Sequence, residues 1–298
     1  MKKIFLTLVL AIIAIVGVNA QLLYRISGGG LEKPSYIVGT YHLAPASFAD
    51  SIPGAQAALN EVEQVCGEVD MAEMQSMAGM QKVMSAMMLP DGKSLSDILT
   101  AEEMDKLNAF MMETLGADLN NPMVAAQLGK MTPTAISTQL QMVQYMKMTP
   151  GFDPTAMIDS YFQVKANEAG KSVIGFETVD FQISVLYTGS SIERQKEQLI
   201  CMLDNQEYNL MIMKNLTEAY FSQNLEKVLE VTEEKLGNSC DSTPEEEEAL
   251  IYGRNATCLL SLMVGSTISL EVQVILVRSP LQCCPAHLLA MPSNCSMG

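Results

Sequence analysis

Two short apolar runs, YIVGTYH at residues 36–42 and QVCGEVD at residues 64–70, flank a stretch in which apolar residues recur every three to four positions. Runs rich in β-branched and aromatic residues, bounded by Gly, Pro or Ser, are typical of strands. The stretch between them predicts a helix that begins near Pro53. A crossover that contains one helix makes two strands of the same sheet parallel, so their carboxyl ends open on the same side.

His42 and Glu68 stand at the ends of these two predicted strands, and we expect them at one edge of the sheet. Ligands of open α/β sheets collect beyond the carboxyl ends of the strands, where an imidazole and a carboxylate can share a proton or a metal ion. His42 is one of only two histidines in the chain. A hydrogen-bonded structural histidine and an ion-paired or capping glutamate are the alternatives, and spacing alone leaves both open.

From residue 71 to residue 148 the composition changes: this span holds 15 of the 23 methionines and almost no β-branched runs. A capping box begins at Thr100, and Thr132 followed by Pro133 is typical of a helix start. We expect residues 71–150 to form an all-helical cap inserted after the Glu68 strand. Five methionines of one predicted helix lie within a single arc, which favours a core or an adaptable groove: Met77, Met80, Met84, Met87 and Met88.

The sheet is predicted to resume after a helix at residues 153–170, with a strand that ends at Glu177. A charge at the N-terminus of the next helix is the alternative for Glu177. Amphipathic helices are predicted over residues 192–235, and Thr243 begins another. The predicted fold class is therefore α/β (mixed α+β), with a central mixed sheet, flanking helices and a Met-rich all-helical cap insertion.

Residues 1–20 have two lysines, an apolar centre and a Val-Asn-Ala ending, which is the pattern of a secretory signal peptide cut before Gln21. An uncut anchor is the alternative. Removing the segment takes the formal charge from −16 to −18, and so acidic a surface repels nucleic acid. We expect an exported protein, periplasmic or extracellular, with no stable membrane span after cleavage. Among the seven cysteines, Cys201 and Cys240 are the one pair that we consider for a disulfide, while Cys66 is expected to be a small buried hydrophobe.

Four motifs, in order, resemble the TraB/GumN family. The family has a strand that ends in G-x-x-H, followed by a strand that ends in glutamate. This pattern is similar to the stretch from LLYRISGGG through YIVGTYH, which ends at His42, and to VCGEVDM, which contains Glu68. MIDSYFQVKANEAGKSVIGFETVDFQ resembles the family's helix, its G-K pair and its strand that runs into E-T-x-x-x-Q, which matches Glu177 and Gln182. Arg254 with the following asparagine resembles the family's R-N helix start. The likeness covers roughly residues 22–255.

The resemblance implies an esterase- or protease-like hydrolase, which in some relatives uses a divalent metal ion and two G-x-x-H histidines. His42 would act as base or ligand, Glu68 as ligand or water-orienting group, and Arg254 would stabilise an oxyanion or bind a substrate carboxylate. Glu177 is expected to converge with these three. A peptide or a small ester or amide is the expected substrate. There is no G-x-S-x-G elbow for a covalent serine mechanism.

Two residues of the G-x-x-H motif, Gly39 and Tyr41, are expected to bind substrate. For the metal ion, of unknown identity, the predicted ligands are His42, Glu68 and His287. His287 follows the nearest match to a second G-x-x-H, in which Cys284 replaces the glycine. That departure indicates an impaired copy.

Residues 256–298 form an atypical tail. From residue 258 onward the chain holds four of the seven cysteines and only two charged side chains, Glu271 and Arg278. A diverged tail and a reading-frame error or truncation are the two explanations, and the joint failure of composition, cysteine density and motif favours the second. A membrane span over residues 259–277 is opposed by Glu271 and by many Ser, Thr and Gly.

The rival function is a non-catalytic protein that binds or sequesters a peptide. The Met-rich helices would form an adaptable apolar groove, and the acidic surface would select a basic or apolar peptide. The family's link to peptide pheromone control implies such a partner. A solvent-reachable His42 close to Glu68 favours the enzyme, and apolar enclosure of either residue favours the binding protein.

Overall fold

The computed structural model of the chain describes residues 22–27, 33–249 and 272–274, the last three as backbone only. The predicted signal peptide, Arg254 and His287 lie outside the described residues. Most of the predicted atypical tail lies outside them as well.

A five-stranded mixed sheet is the centre of the described fold, in the order β1-β2-β5-β3-β4. Its strands are β1 (Leu23–Ile26), β2 (Ser35–Val38), β3 (Gln64–Val69), β4 (Ser172–Glu177) and β5 (Val272–Val274). β1 pairs antiparallel with β2, and every other pairing is parallel. The predicted parallel orientation of β2 and β3 is confirmed, although β5 lies between them.

Helices make up most of the rest. In chain order they are α1 (Ala55–Glu61), α2 (Met71–Met74), α3 (Met77–Ala86), α4 (Ala101–Leu115), α5 (Pro122–Leu128), α6 (Pro133–Met148), α7 (Ile158–Glu168), α8 (Val179–Ile183), α9 (Ile192–Asp204), α10 (Gln206–Phe221), α11 (Leu225–Glu233) and α12 (Pro244–Glu247). Short 3-10 turns cover Ala46–Ser51, Pro90–Gly92 and Leu95–Asp97, and a π-type turn covers Ser184–Thr188. The α/β class with a helical span between β3 and α7 is confirmed.

The helical span 71–148 contains no strand, only an isolated bridge between Met88 and Met131. Local signals fix its helix starts, as the sequence predicts. Thr100 accepts a hydrogen bond from the backbone of Glu103, whose side chain returns to the Thr100 N–H. Thr132 caps α6, which begins at Pro133.

The methionine arc of α3 and of the two residues that follow it faces both the core and solvent. Met87 is buried against the end of β3 and α8. Met77 is 84% exposed, and Met84 and Met88 also face solvent. The exposed thioethers are therefore surface groups and do not fill the core.

The described residues bury three apolar clusters. The largest joins the sheet to α1, α7, α10 and α11; the second joins α4, α6 and α9; the third lies at the carboxyl edge of the sheet and contains Val69, Met71, Met87 and Val179. The third cluster brings the Met-rich span against the strand ends where the candidate site lies.

The Gly-Lys pair before β4 has a structural role. Gly170 has φ 69°, a left-handed conformation that favours glycine, and it ends α7. Lys171 Nζ then donates to the backbone carbonyls of Asn60 at 3.0 Å and Val62 at 2.6 Å, and also to that of Leu59. This lysine satisfies the last carbonyls of α1 and ties that helix to the start of β4.

A disulfide joins Cys201 on α9 to Cys240 in the loop before α12, as the sequence pair indicates. Arg194 reinforces the link, because its guanidinium bonds both Glu246 oxygens at 2.8 and 2.9 Å and the carbonyls of Ser239 and Asp241. The hydrogen bonds that Arg194 donates to Glu246 raise the pKa of the guanidinium, so this clamp keeps its charge.

Candidate functional site

His42 lies beyond the carboxyl end of β2. The predicted strand 36–42 is four residues too long, because β2 ends at Val38. The Gly39 N–H still bonds the carbonyl of Leu22, the residue before β1, at 2.8 Å. The chain then turns, with the Ala44 N–H bonding the Tyr41 carbonyl at 2.7 Å. His42 therefore stands in this turn.

Distant tyrosines hold the turn in place. Tyr220 donates its hydroxyl to the Gly39 carbonyl at 3.0 Å, and Tyr145 donates to the Leu43 carbonyl at 2.8 Å. Tyr41 is 3% exposed, with its ring 5.4 Å from that of Tyr220 and its hydroxyl 3.3 Å from Thr217 Oγ1. These contacts give Tyr41 and the Gly39 carbonyl a structural role, and their predicted substrate contacts stay predictions.

Asp159 is the partner of His42. The Nδ1 atom of His42 lies 3.0 Å from Asp159 Oδ2, and Thr40 donates its hydroxyl to the other oxygen, Oδ1. His42 is 9% exposed and Asp159 is 6% exposed. A buried carboxylate is costly unless its oxygens are hydrogen-bonded, and here both oxygens are.

A short backbone pairing brings these two residues together. Pro45 and Met157 form an antiparallel bridge, with the Ala46 N–H bonding the Ala156 carbonyl at 2.8 Å and the Ile158 N–H bonding the Ala44 carbonyl at 3.0 Å. The bridge therefore places the segment just after His42 beside the start of α7, of which Asp159 is the second residue. The extended backbone also explains why α7 begins at Ile158 and not at residue 153 as predicted.

Tyr220 lies next to this pair. Burial and the negative charge of Asp159 hold the pKa of Tyr220 well above its ordinary value. The phenol therefore keeps its proton and remains the donor to the Gly39 carbonyl.

Glu68 and Glu177 are joined through one side chain. Gln182 Nε2 donates to Glu177 Oε2 at 2.5 Å and to Glu68 Oε2 at 3.3 Å. Glu68 lies on β3, Glu177 ends β4, and Gln182 belongs to α8, whose N-cap is Thr178. A single amide group thus holds two carboxylates at the edge of the sheet.

Helix α7 connects the two arrangements. Gln163, one turn after Asp159, accepts from the Met71 N–H and donates to the Val69 carbonyl, both at 3.0 Å. Residues four apart on a helix have Cβ atoms about 5–6 Å apart. Asp159, which bonds His42, therefore lies about one helical turn from the segment that follows Glu68, to which Gln163 is bonded.

Two glycines make this approach feasible. A Cβ atom on Gly67 would lie 2.1 Å from Gln163 Nε2, and a Cβ on Gly175 would lie 2.6 Å from the Asp70 backbone nitrogen. The two glycines are register partners on β3 and β4. Gly67 precedes Glu68 by one residue, and Gly175 precedes Glu177 by two. The close packing at this edge is possible because neither glycine has a Cβ atom.

The structure thus places three predicted residues at one sheet edge, His42, Glu68 and Glu177, and links the two glutamates through Gln182. Arg254 and His287 lie outside the described residues, so their predicted roles stay predictions. Within the described part of the chain, no three His, Cys, Asp or Glu side chains are grouped so that they could hold a metal ion. The described residues do not by themselves form the predicted metal site, and we derive no step through a metal.

Sequence reasoning missed Asp159, Thr40 and Gln163. One signal was available: the helix at 158–168 has an apolar side with Ile158 and Phe162, and Asp159 and Gln163 lie next to that side with helical spacing. A carboxylate and an amide beside a buried helix face need polar partners. The partners themselves are more than 90 positions away in sequence.

The comparison with known families tests the resemblance. A model of the TraB/PrgY/gumN family matches residues 22–263, which is most of the chain. The chain belongs to the TraB/PrgY/gumN family. The TraB/PrgY/gumN match includes His42, Glu68, Glu177 and Gln182, and it also spans Arg254. No curated protein and no solved structure matches the chain.

None of the described helices within residues 22–249 is both long and apolar enough to cross a bilayer.

Proposed function

We propose that this TraB/PrgY/gumN protein is an exported hydrolase of the protease or esterase type, acting on a peptide or on a small ester or amide. The observation that carries the proposal is that helix α7 places a buried His42–Asp159 pair about one helical turn from the end of β3, where Gln182 bridges two glutamates at the carboxyl edge of a largely parallel sheet. Titratable groups held together in this position favour a chemical role over a structural one.

In the proposed reaction, His42 accepts a proton from a water molecule as the water attacks the substrate carbonyl carbon. The carbon–oxygen or carbon–nitrogen bond of the substrate then breaks, and the leaving group takes up the proton. Glu68 orients the water, and Glu177 and Gln182 hold Glu68. Arg254, if it reaches this edge, would stabilise the oxyanion.

A divalent metal ion remains part of the proposal as a condition to be tested. His287 is the remaining predicted ligand, and it lies in the atypical tail. Activity of this copy therefore depends on whether residues 256–298 supply what the described residues lack. Export is supported by the signal-peptide pattern and by the Cys201–Cys240 disulfide, since structural disulfides persist in oxidising compartments.

The first experiment measures hydrolysis of a panel of chromogenic esters and peptide amides by the purified chain, with chelator and with added Zn²⁺, Mn²⁺ or Mg²⁺. Loss of a general base typically lowers the rate by about 10²- to 10⁴-fold, so His42→Ala is expected to lower kcat by that amount. Glu68→Gln is expected to lower it as well. Asp180→Asn, at an exposed carboxylate paired with Lys82, is the matched control.

Hydrolysis that survives both His42→Ala and Glu68→Ala would show that the site is wrongly placed. Activity that needs an added metal and disappears in His287→Ala would support the metal-dependent form. If His287→Ala has no effect in a metal-dependent reaction, that histidine is not a ligand.

The second candidate is a non-catalytic protein that binds or sequesters a peptide. The exposed methionines of α3, Met77 and Met84, favour it, because flexible thioethers suit variable apolar partners. Isothermal titration with an apolar, basic peptide tests this candidate. Tight binding without hydrolysis, weakened by Met77→Ser with Met84→Ser and unchanged by His42→Ala, would favour the binding protein over the hydrolase.

A further inference from the structure

The hydrogen bonds around Asp159 give the two ring nitrogens of His42 different roles, one as hydrogen donor and the other as base. Asp159 uses both carboxylate oxygens: Oδ1 accepts from the Thr40 hydroxyl, and Oδ2 lies 3.0 Å from His42 Nδ1. A carboxylate is an acceptor at both oxygens, so the hydrogen between Oδ2 and Nδ1 belongs to the imidazole. In the neutral ring the other nitrogen, Nε2, is then the basic one.

We propose that Asp159 is the positioning residue of this site: it accepts the Nδ1 hydrogen of His42 and thereby makes Nε2 the atom that takes the proton or binds an ion. The inference rests on the proposed function, because it assigns an atom to the base of that reaction. Thr40 has a supporting role, since its hydroxyl keeps the carboxylate plane turned toward the ring.

Two sets of contacts fix the position of Asp159. The backbone bridge between Pro45 and Met157 sets its distance from the His42 turn. Gln163, one turn along the same helix, donates to the Val69 carbonyl at the end of β3 and accepts from the Met71 N–H. A carboxylate held in this way orients an imidazole within the small tolerance that proton transfer requires.

The competing explanation is that His42 and Asp159 are a structural pair whose only role is to satisfy each other in the interior. A structural pair and a positioning pair both lose stability when Asp159 is removed. They share the same tautomer, because the Nδ1–Oδ2 hydrogen bond fixes it in both cases. They differ in how kcat and KM change, so the tautomer tests the hydrogen-bond assignment and the kinetics test the positioning role.

The full chain has only two histidines, His42 and His287, so ¹⁵N-histidine labelling gives two ring systems. His287→Gln assigns them. At alkaline pH, where the ring is neutral, long-range ¹H–¹⁵N correlation spectra of the wild-type protein are expected to show His42 with hydrogen on Nδ1 and none on Nε2. The opposite tautomer, or an even mixture, would overturn the proposal, and this measurement needs no variant at Asp159.

Asp159→Ala is expected to convert the single tautomer of His42 into a mixture. It is also expected to lower kcat by about 10- to 100-fold, the usual cost of removing the group that orients a functional histidine, with a smaller change in KM. Asp180→Ala, at an exposed carboxylate on α8, is the control and should change neither. A folded Asp159→Ala protein with the wild-type tautomer and the wild-type kcat would overturn the proposal.

The two proposals fail separately. A fixed Nδ1–H tautomer in a chain that hydrolyses nothing supports the placement of Asp159 and overturns the hydrolase. Activity that is lost in His42→Ala but untouched in Asp159→Ala supports the hydrolase and overturns the positioning role.

Discussion

The candidate site and the Met-rich helical span differ in the sequence range of the hydrogen bonds that stabilise them. At the site, hydrogen bonds join residues that are far apart in the sequence, such as Thr40 to Asp159 and Tyr220 to Gly39. In the helical span, caps such as those of Thr100 and Thr132 act within three residues of themselves. The geometry of the site therefore depends on the packing of distant segments. The start of each capped helix in the span is set by residues next to it in the sequence.

The two regions also differ in what they bury. The site buries polar groups, each tied to a partner, and leaves little space at Gly67 and Gly175. The span exposes apolar thioethers such as Met77. Substitutions at the site should therefore lower the free energy of unfolding strongly, and their effects should not be additive. Substitutions on the exposed face of the span should change it little, and their effects should add.

Gly67→Ala is expected to have the largest effect. The new methyl group would meet the Gln163 amide and displace it from the Val69 carbonyl and the Met71 N–H. Overpacking together with unsatisfied buried groups should lower the free energy of unfolding by about 4 kcal/mol. Urea denaturation measures it.

A double mutant sharpens this test. Gln163→Ala removes the group that the new methyl meets, so Gly67→Ala with Gln163→Ala should cost less than the sum of the single changes. Strict additivity would show that Gly67 is not required for the reach of Gln163.

Removal of the Cys201–Cys240 disulfide should have the next largest effect. The bridge closes a loop with a sequence separation of 39 residues. Loss of such a constraint on the unfolded chain should cost about 3 kcal/mol in the double serine variant. Thermal unfolding of the oxidised wild type and the variant tests this. A difference below about 1 kcal/mol would mean that the Arg194 clamp alone holds the loop.

Tyr220→Phe should cost about 1–1.5 kcal/mol at neutral pH, because the Gly39 carbonyl loses its donor. The folded protein raises the pKa of Tyr220 above its ordinary value of 10.0, so folding favours the protonated phenol. The wild type should therefore lose stability as the pH rises above 10.0, when the unfolded chain releases this proton and the folded chain retains it.

Denaturation curves at neutral and alkaline pH measure this slope. Tyr220→Phe should reduce it, and Met77→Leu, at an exposed position without a titrating group, should keep the wild-type slope. An identical slope in Tyr220→Phe would contradict the assignment.

The smallest effect is expected within the helical span. Thr100→Ala removes one capping hydrogen bond of α4 and should lower the free energy of unfolding by about 1 kcal/mol. Met77→Ala, at a side chain that is 84% exposed, should change it by less than about 0.5 kcal/mol. If both exceeded the effect of Gly67→Ala, the contrast between the two regions would be wrong.

The sequence by itself determined three of the five strands, β2, β3 and β4, and most of the helical regions, but not β1 or β5. Short apolar runs indicated β3 and β4, capping residues marked the starts of α4, α6 and α12, and a single helical crossover predicted that β2 and β3 are parallel. It also singled out His42, Glu68 and Glu177, because each follows or ends a strand at the same edge.

Only the tertiary structure decided which groups meet. Nothing near His42 in the sequence indicates that Asp159, 117 positions away, is its partner. The start of α7 at Ile158 was likewise set by hydrogen bonds between residues 44–46 and residues 156–158. The physical reason is range: propensities and caps act over three or four residues, whereas the pairing of buried polar groups depends on how distant segments pack.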